Sequence, residues 1–291
     1  MTETNPEQNM NAATGNRLPR VHIWNGKIGG IGKTTGARIQ CEAYHQLGKK
    51  FTLIDADDVN YNVARLYDKE IVAQWESRLK PASGKMSRKT FLDNLEQEGE
   101  TNEGAAGLLS QQIIFSDDPK LRYLGKRFLE IIDTYQQDVI VSLPANDSFE
   151  FLLDSNRIDR LLSKDDRTFD MINWWCIPGC EDSQKMFAKF IEKYPHIKHV
   201  AVFNQGITSV IPNWEVFRLS KELSVMLKEK RFSRTAISEL EAMPPIIDEI
   251  GNGVPYREII AGTKVDKFSR GDLEDWLNHN IEALKETGYV D

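Results

Sequence analysis

Long hydrophobic runs are missing from this chain. Nowhere do about 18 apolar residues stand together, so no helical membrane span is expected. Cysteine is scarce. Cys41, Cys176 and Cys180 are an odd count without the density of a disulfide scaffold, and they read as free thiols of a reducing, cytoplasmic compartment. Cys176 and Cys180 lack the second Cys or His pair that a structural metal requires. Positive charge is also short. With 37 Lys and Arg against 44 Asp and Glu, the net charge is -7, which excludes a generally basic nucleic-acid coat while leaving room for a local basic patch. No basic-then-apolar leader opens the chain, and no internal repeat runs along it.

What is present is a globular balance. The 291 residues are 40% hydrophobic and 28% charged, enough to bury a core. Residues 1–19, polar and aperiodic through Arg17, are expected to form a disordered tail, and residues 20–291 a single domain. Val21 to Trp24 is a short apolar run that ends at a glycine-rich loop. Beyond it, Ala37, Cys41, Tyr44 and Leu47 recur at helical spacing, and Gly48 stands where a helix commonly ends. Phe51 to Ile54 predicts a second strand, closed by the acidic stretch DADD. Strand, loop, helix and strand in that order begin a parallel sheet.

From about Ala73 to Arg127 no clean period is visible. Strands are predicted again over Asp138–Pro144, Met171–Pro178, His199–Gln205 and Thr235–Leu240. Helical patterns over Ser183–Tyr194 and Ser220–Lys230 separate them, and a last helix over Gly271–Gly288 packs Leu273, Trp276, Ile281 and Leu284. Near-continuous apolar strands alternating with helices imply an α/β fold, a mostly parallel sheet with helices on both faces. Trp174 and Trp175, adjacent on one strand, should then face opposite layers as core residues.

The loop is the chemical signal. GKIGGIGKTT, from Gly26 to Thr35, satisfies the end of the phosphate-loop rule G-x-x-x-x-G-K-[ST] with Gly32, Lys33 and Thr34, but the first glycine of that rule falls on Lys27. A glycine-rich turn from strand to helix exposes several backbone N–H groups at the positive end of the helix dipole, which attracts phosphate. Lys33 would reach the outer phosphates, and the Thr34 hydroxyl would sit on Mg²⁺.

GKIGGIGKTT resembles the deviant Walker A loop of the ParA/MinD family of P-loop ATPases, GKGGVGKTT. FTLIDADDVNYN (Phe51 to Asn62) is similar to that family's switch I, D-x-D-P-Q-x-N after a strand. DVIVSLPAN (Asp138 to Asn146) resembles its Walker B and switch II segment, D-x-x-x-D-x-P. VAVFNQG (Val200 to Gly206) resembles the strand whose Asn contacts adenine, and the segment from Ala236 resembles the one that covers the base. Within the family the tone is as close to plasmid maintenance and conjugation ATPases of the StbB or TraL kind as to chromosome partition.

The resemblance implies a P-loop NTPase-like fold that binds ATP and Mg²⁺, forms a homodimer over the nucleotide, and hydrolyses it slowly to position DNA or another cargo, with an adaptor protein as a further partner and no membrane. It implies nucleotide contacts from Gly29, Gly30, Ile31, Gly32, Lys33, Thr34 and Thr35, an adenine contact from Asn204, metal-shell roles for Thr34 and Asp55, and an attacking water positioned by Asp57. It also implies DNA phosphates on Lys228, Lys230, Arg231 and Arg234. Two positions depart from the family. Ile28 stands where a signature lysine crosses the dimer, so the neighbouring Lys27 either takes over that contact or points to solvent. Ser142 stands where the Walker B aspartate belongs, removing a negative charge from the metal shell. Two other readings stay open: a nucleotide-held binding module with negligible hydrolysis, and a metabolic P-loop enzyme.

Overall fold

The apolar runs become the middle of one sheet. The computed structural model describes residues 17–56, 62–70, 72–73, 108–112, 128–132, 136–144, 150, 153, 162, 167–177, 180–207, 219–242 and 244–291. Among the described residues there are seven strands: β1 (Arg20–Asn25), β2 (Phe51–Asp55), β3 (Leu108–Gln112), β4 (Asp138–Ser142), β5 (Asp170–Cys176), β6 (Lys198–Asn204) and β7 (Ser233–Ile237). Their order is β3-β2-β4-β1-β5-β6-β7. Every pairing is parallel. The predicted α/β class is what forms. β3 falls in the stretch where no period was readable, and β7 begins two residues before the predicted Thr235 and ends at Ile237.

Parallel strands need crossovers, and helices supply them. After β1 comes α1 (Lys33–Gln46), and α2 (Ala64–Tyr67) follows β2. α3 (Glu181–Lys193) links β5 to β6, and α4 (Lys221–Lys228) precedes β7. α5 (Pro244–Gly251), α6 (Tyr256–Ala261) and α7 (Lys267–Lys285) complete the chain. α7 begins four residues before the predicted Gly271, because Asp266 caps it: its carboxylate accepts from the backbone N–H groups of Phe268 and Ser269, both at 3.0 Å.

The sheet separates two apolar layers. On one face Trp24, Ile140 and Trp174 pack with Ile39 and Ala43 of α1 and with Leu273 and Leu284 of α7. On the other, Ile23, Val141 and Trp175 pack with Phe187 and Ile191 of α3 and with Leu223 of α4. The two tryptophans therefore face opposite layers, as their adjacency on one strand requires. Each fully buried side chain of this size contributes about 1.5–3 kcal/mol relative to leaving it exposed. Trp24 stacks on Trp174 at a centroid distance of 5.2 Å. Its ring also fixes how close α1 comes, since a Cβ on Gly36 would lie 2.0 Å from Trp24 Cζ3. Only glycine at position 36 lets the helix carrying the loop lie this close to the sheet.

Below the loop, a buried polar chain ties the strands together. Trp174 Nε1–H donates to His22 Nδ1 at 3.0 Å. Tyr44 Oη lies 2.9 Å from His22 Nε2 and donates its own proton to Asp138 Oδ2 at 2.7 Å. These donors fix the imidazole as the neutral Nε2–H tautomer, with Nδ1 as acceptor. Asp138 also receives both guanidinium nitrogens of Arg17, at 2.9 and 2.7 Å, and the backbone N–H of Arg20 at 2.8 Å. Burial pushes His22 from its ordinary 6.5 to about 3. Asp138 is held down at about 2 by the Arg17 guanidinium and its other donors, against its burial.

Candidate phosphate-binding site

β1 lies where the chain changes direction across the sheet, between β4 and β5. In open parallel sheets, ligands bind at the carboxyl ends of the strands around such a switch point. The glycine loop leaves β1 at that end. α1 then starts at Lys33 with Gly32 as its N-cap, with no side-chain cap and no acidic residue in the first turn. A glycine cap supplies no side-chain acceptor of its own to the first turn, and the positive end of the helix dipole faces the loop.

Lys33 occupies the middle of this turn. It is 6% exposed, and its ammonium donates to the carbonyls of Gly26 (3.0 Å) and Ile28 (3.1 Å). In a loop of this kind such a lysine would meet an anion bound at the first turn of the helix. Gly32 has φ +102, and a Cβ there would lie 2.4 Å from Asn204 Nδ2. Glycine is required on both counts. Thr34 and Thr35 follow on the first turn. Gly29 and Gly30 are exposed at the rim, and Ile31 is buried beneath them. Beneath the loop lies Cys176, whose thiol burial pushes up to about 12. Cys41, Cys176 and Cys180 are free, and among the described residues no group of three His, Cys, Asp or Glu is placed to hold a metal.

The strand tips beside the loop hold Asp55 and Ser142. They are register partners on β2 and β4, and Ser142 pairs in turn with Trp24 on β1. Asp55 is 1% exposed, and its Oδ2 accepts the backbone N–H groups of Val63 and Ala64, each at 2.9 Å. The carboxylate therefore anchors the segment after β2 while standing next to the serine. This adjacency was not legible beforehand, because it follows from the strand order. Asp57 lies outside the described residues.

Lys27 does not extend freely from the loop. Its Nζ lies 2.9 Å from Glu150 Oε1, and Lys193 approaches the same carboxylate at 3.6 Å. Asn204, at the end of β6, turns its amide to the loop: Nδ2 donates to Ile31 O at 3.4 Å, and Oδ1 accepts from Gly206 N–H at 3.1 Å. Lys33, Thr34, Asp55 and Asn204 are thus brought to one end of the sheet. Lys228, Lys230, Arg231 and Arg234 lie at the other, around the starts of β6 and β7. Among the described residues no helix is long and apolar enough to cross a membrane.

No family model matches the chain, and no curated protein does. Solved structures do resemble it. One is a chain of the MinC:MinD cell division protein complex of Aquifex aeolicus, at 17% identity and TM-score 0.49, covering 91% of this chain and 96% of that one. Another is the cell division ATPase MinD of Pyrococcus furiosus, at 14% identity and TM-score 0.49, covering 92% and 100%. A plasmid partition protein of Borrelia burgdorferi aligns at 19% identity and TM-score 0.45, covering 81% and 96%. At these identities the functional reading rests on the loop itself.

Proposed function

We propose that this protein is a ParA/MinD-like ATPase that binds Mg-ATP at the β1–α1 loop, pairs with a second copy over the nucleotide, and hydrolyses slowly to time the positioning of a cargo. The observation that carries this reading is Lys33, an ammonium buried inside a glycine turn at the uncapped N-terminus of α1. The residues present fit a polyphosphate: a glycine turn at a helix N-terminus and a lysine for the oxygens, with a threonine hydroxyl next in sequence for the metal. Mg²⁺ would supply charge neutralisation for phosphoryl transfer. Thr34 and Asp55 are the side chains that would hold its water shell, with Ser142 as a neutral hydrogen-bonding neighbour. Asp57 would orient the attacking water, and Asn204 would lie near the base. The lost carboxylate at position 142 is why turnover is expected to be slow. The cargo is DNA or a protein brought by an adaptor. The plasmid-maintenance character of the sequence favours a cytoplasmic setting.

One observation favours a second reading, a nucleotide-held module with negligible hydrolysis. Lys27, the candidate dimer-crossing lysine, is engaged with Glu150 of its own chain. Phosphate release together with light scattering separates the two. ATP-dependent dimers with measurable release fit the ATPase; ATP-dependent dimers without release fit the module; neither response in the presence of bound ATP removes both.

A further inference from the structure

At the sheet end opposite the loop, a cavity of about 730 Å³ opens between the starts of β6 and β7. Strand β6 separates it from Asn204 and the loop, six rises of about 3.3 Å or roughly 20 Å. Its floor is apolar, with Leu227, Phe232 and Tyr289 among the lining residues. Its rim is cationic, with Lys230, Arg231 and Arg234. Among the described residues no carboxylate stands within ion-pair distance of these three. Arg167 and Lys198 add two more cations, both leaning on the single carboxylate of Asp170, with Lys198 at 2.5 Å. This is a concentration of positive charge in a chain of net charge -7.

The backbone gives an independent sign. α4 ends in a reverse turn in which Lys230 N–H donates to Leu227 O and Arg231 N–H donates to Met226 O, both at 3.0 Å. In this turn the residue after the cap takes a left-handed conformation, which glycine adopts without strain. Here it is Lys230, at φ +58. Holding a lysine in a strained position on a cavity rim points to a use for its charge.

We propose that this cavity is a second anion site, taking a compact phosphorylated ligand that carries an aromatic ring, of the mononucleotide class. The volume lies within the range of small-ligand pockets, roughly 300–1,000 Å³. Guanidinium groups match phosphate oxygens bidentately, and the half-buried Tyr289 ring offers the apolar surface that a base would cover. A concave site with an apolar floor suits such a ligand better than the convex backbone of a duplex. The proposal goes beyond the ATPase reading and does not depend on it.

The test uses the full chain carrying Lys33→Ala, so that the loop site is weakened. Calorimetry at low salt follows inorganic pyrophosphate, ribose 5-phosphate and AMP. The expected result is one site for each, with AMP tighter than ribose 5-phosphate. Arg231→Gln/Arg234→Gln should weaken all three roughly 10-fold or more, while Arg231→Lys/Arg234→Lys recovers part of the loss. Tyr289→Leu should close the gap between AMP and ribose 5-phosphate. No binding of any of the three, or binding indifferent to the arginine replacements, overturns the proposal. So does the outcome in which a DNA duplex binds through the same arginines while pyrophosphate and AMP do not, which would make the cluster a nucleic-acid surface.

Discussion

Mild acid should weaken this fold through His22 before any carboxylate of the buried chain responds. The imidazole is fully buried, and its hydrogen-bond partners fix it as the neutral tautomer, which accepts from Trp174 and donates to Tyr44. Its folded pKa of about 3 lies below the ordinary 6.5. Above 6.5 the group is neutral folded or unfolded, and its contribution to stability is intact. As pH falls through 6.5, the unfolded chain takes up a proton that the folded chain refuses, and stability is lost progressively until about pH 3. Each tenfold rise in proton concentration over that interval costs about 1.4 kcal/mol, so the loss by pH 5.0 is about 2 kcal/mol for this residue. Asp138 adds nothing there, because both its folded value of about 2 and its ordinary 3.8 lie lower. His199, lowered to about 4 by burial, acts in the same direction as His22, and Glu42, raised by burial, acts in the opposite one. A comparison between two proteins isolates His22. His22→Gln keeps one donor and one acceptor without a proton-binding site. Urea unfolding at pH 7.5 and pH 5.0 should show the variant losing about 2 kcal/mol less than the parent over that interval. Equal losses in the two proteins would refute the buried, neutral histidine.

Other outcomes follow from the loop. Asp57→Ala should keep ATP binding while losing most phosphate release, and wild-type release would remove Asp57 from the chemistry. Ser142→Asp places a carboxylate beside Asp55 and should steepen Mg²⁺ dependence and raise turnover; weaker ATP binding instead would mean the site has been reshaped around serine. Gly32→Ala puts a methyl 2.4 Å from Asn204 Nδ2 at φ +102. It should lower stability by about 1–3 kcal/mol and weaken ATP at least about 10-fold, read by thermal melts and calorimetry; a neutral effect would show that the loop does not hold this geometry.

The sequence made some of this legible, and physical reasons explain what it did not. β1, β2, β4, β5 and β6 announce themselves because both faces of a covered parallel sheet are apolar, giving runs such as DVIVS and KHVAVFN. β3 reads LLSQQ, too short and too polar to stand out. The start of α7 carried a local signal, an Asp at the cap position, that the apolar spacing alone overlooked. The loop was readable because its chemistry is contiguous in sequence. The Lys27–Glu150 pair, the Asp55–Ser142 adjacency and the chain from Trp174 to Asp138 were not, since each joins residues far apart in sequence that only the strand order brings together.

The nucleotide reading is tested most directly by titrating the full chain with Mg-ATP in a calorimeter, beside Lys33→Ala. The lysine's ammonium lies inside the loop, and without it a bound triphosphate loses its central compensating charge. The expected result is saturable binding at one site per chain in the parent, and a loss of roughly 100-fold or more in the variant, about 2.7 kcal/mol or more. No binding in the parent, or equal affinity in the two proteins, would contradict a phosphate site at this loop.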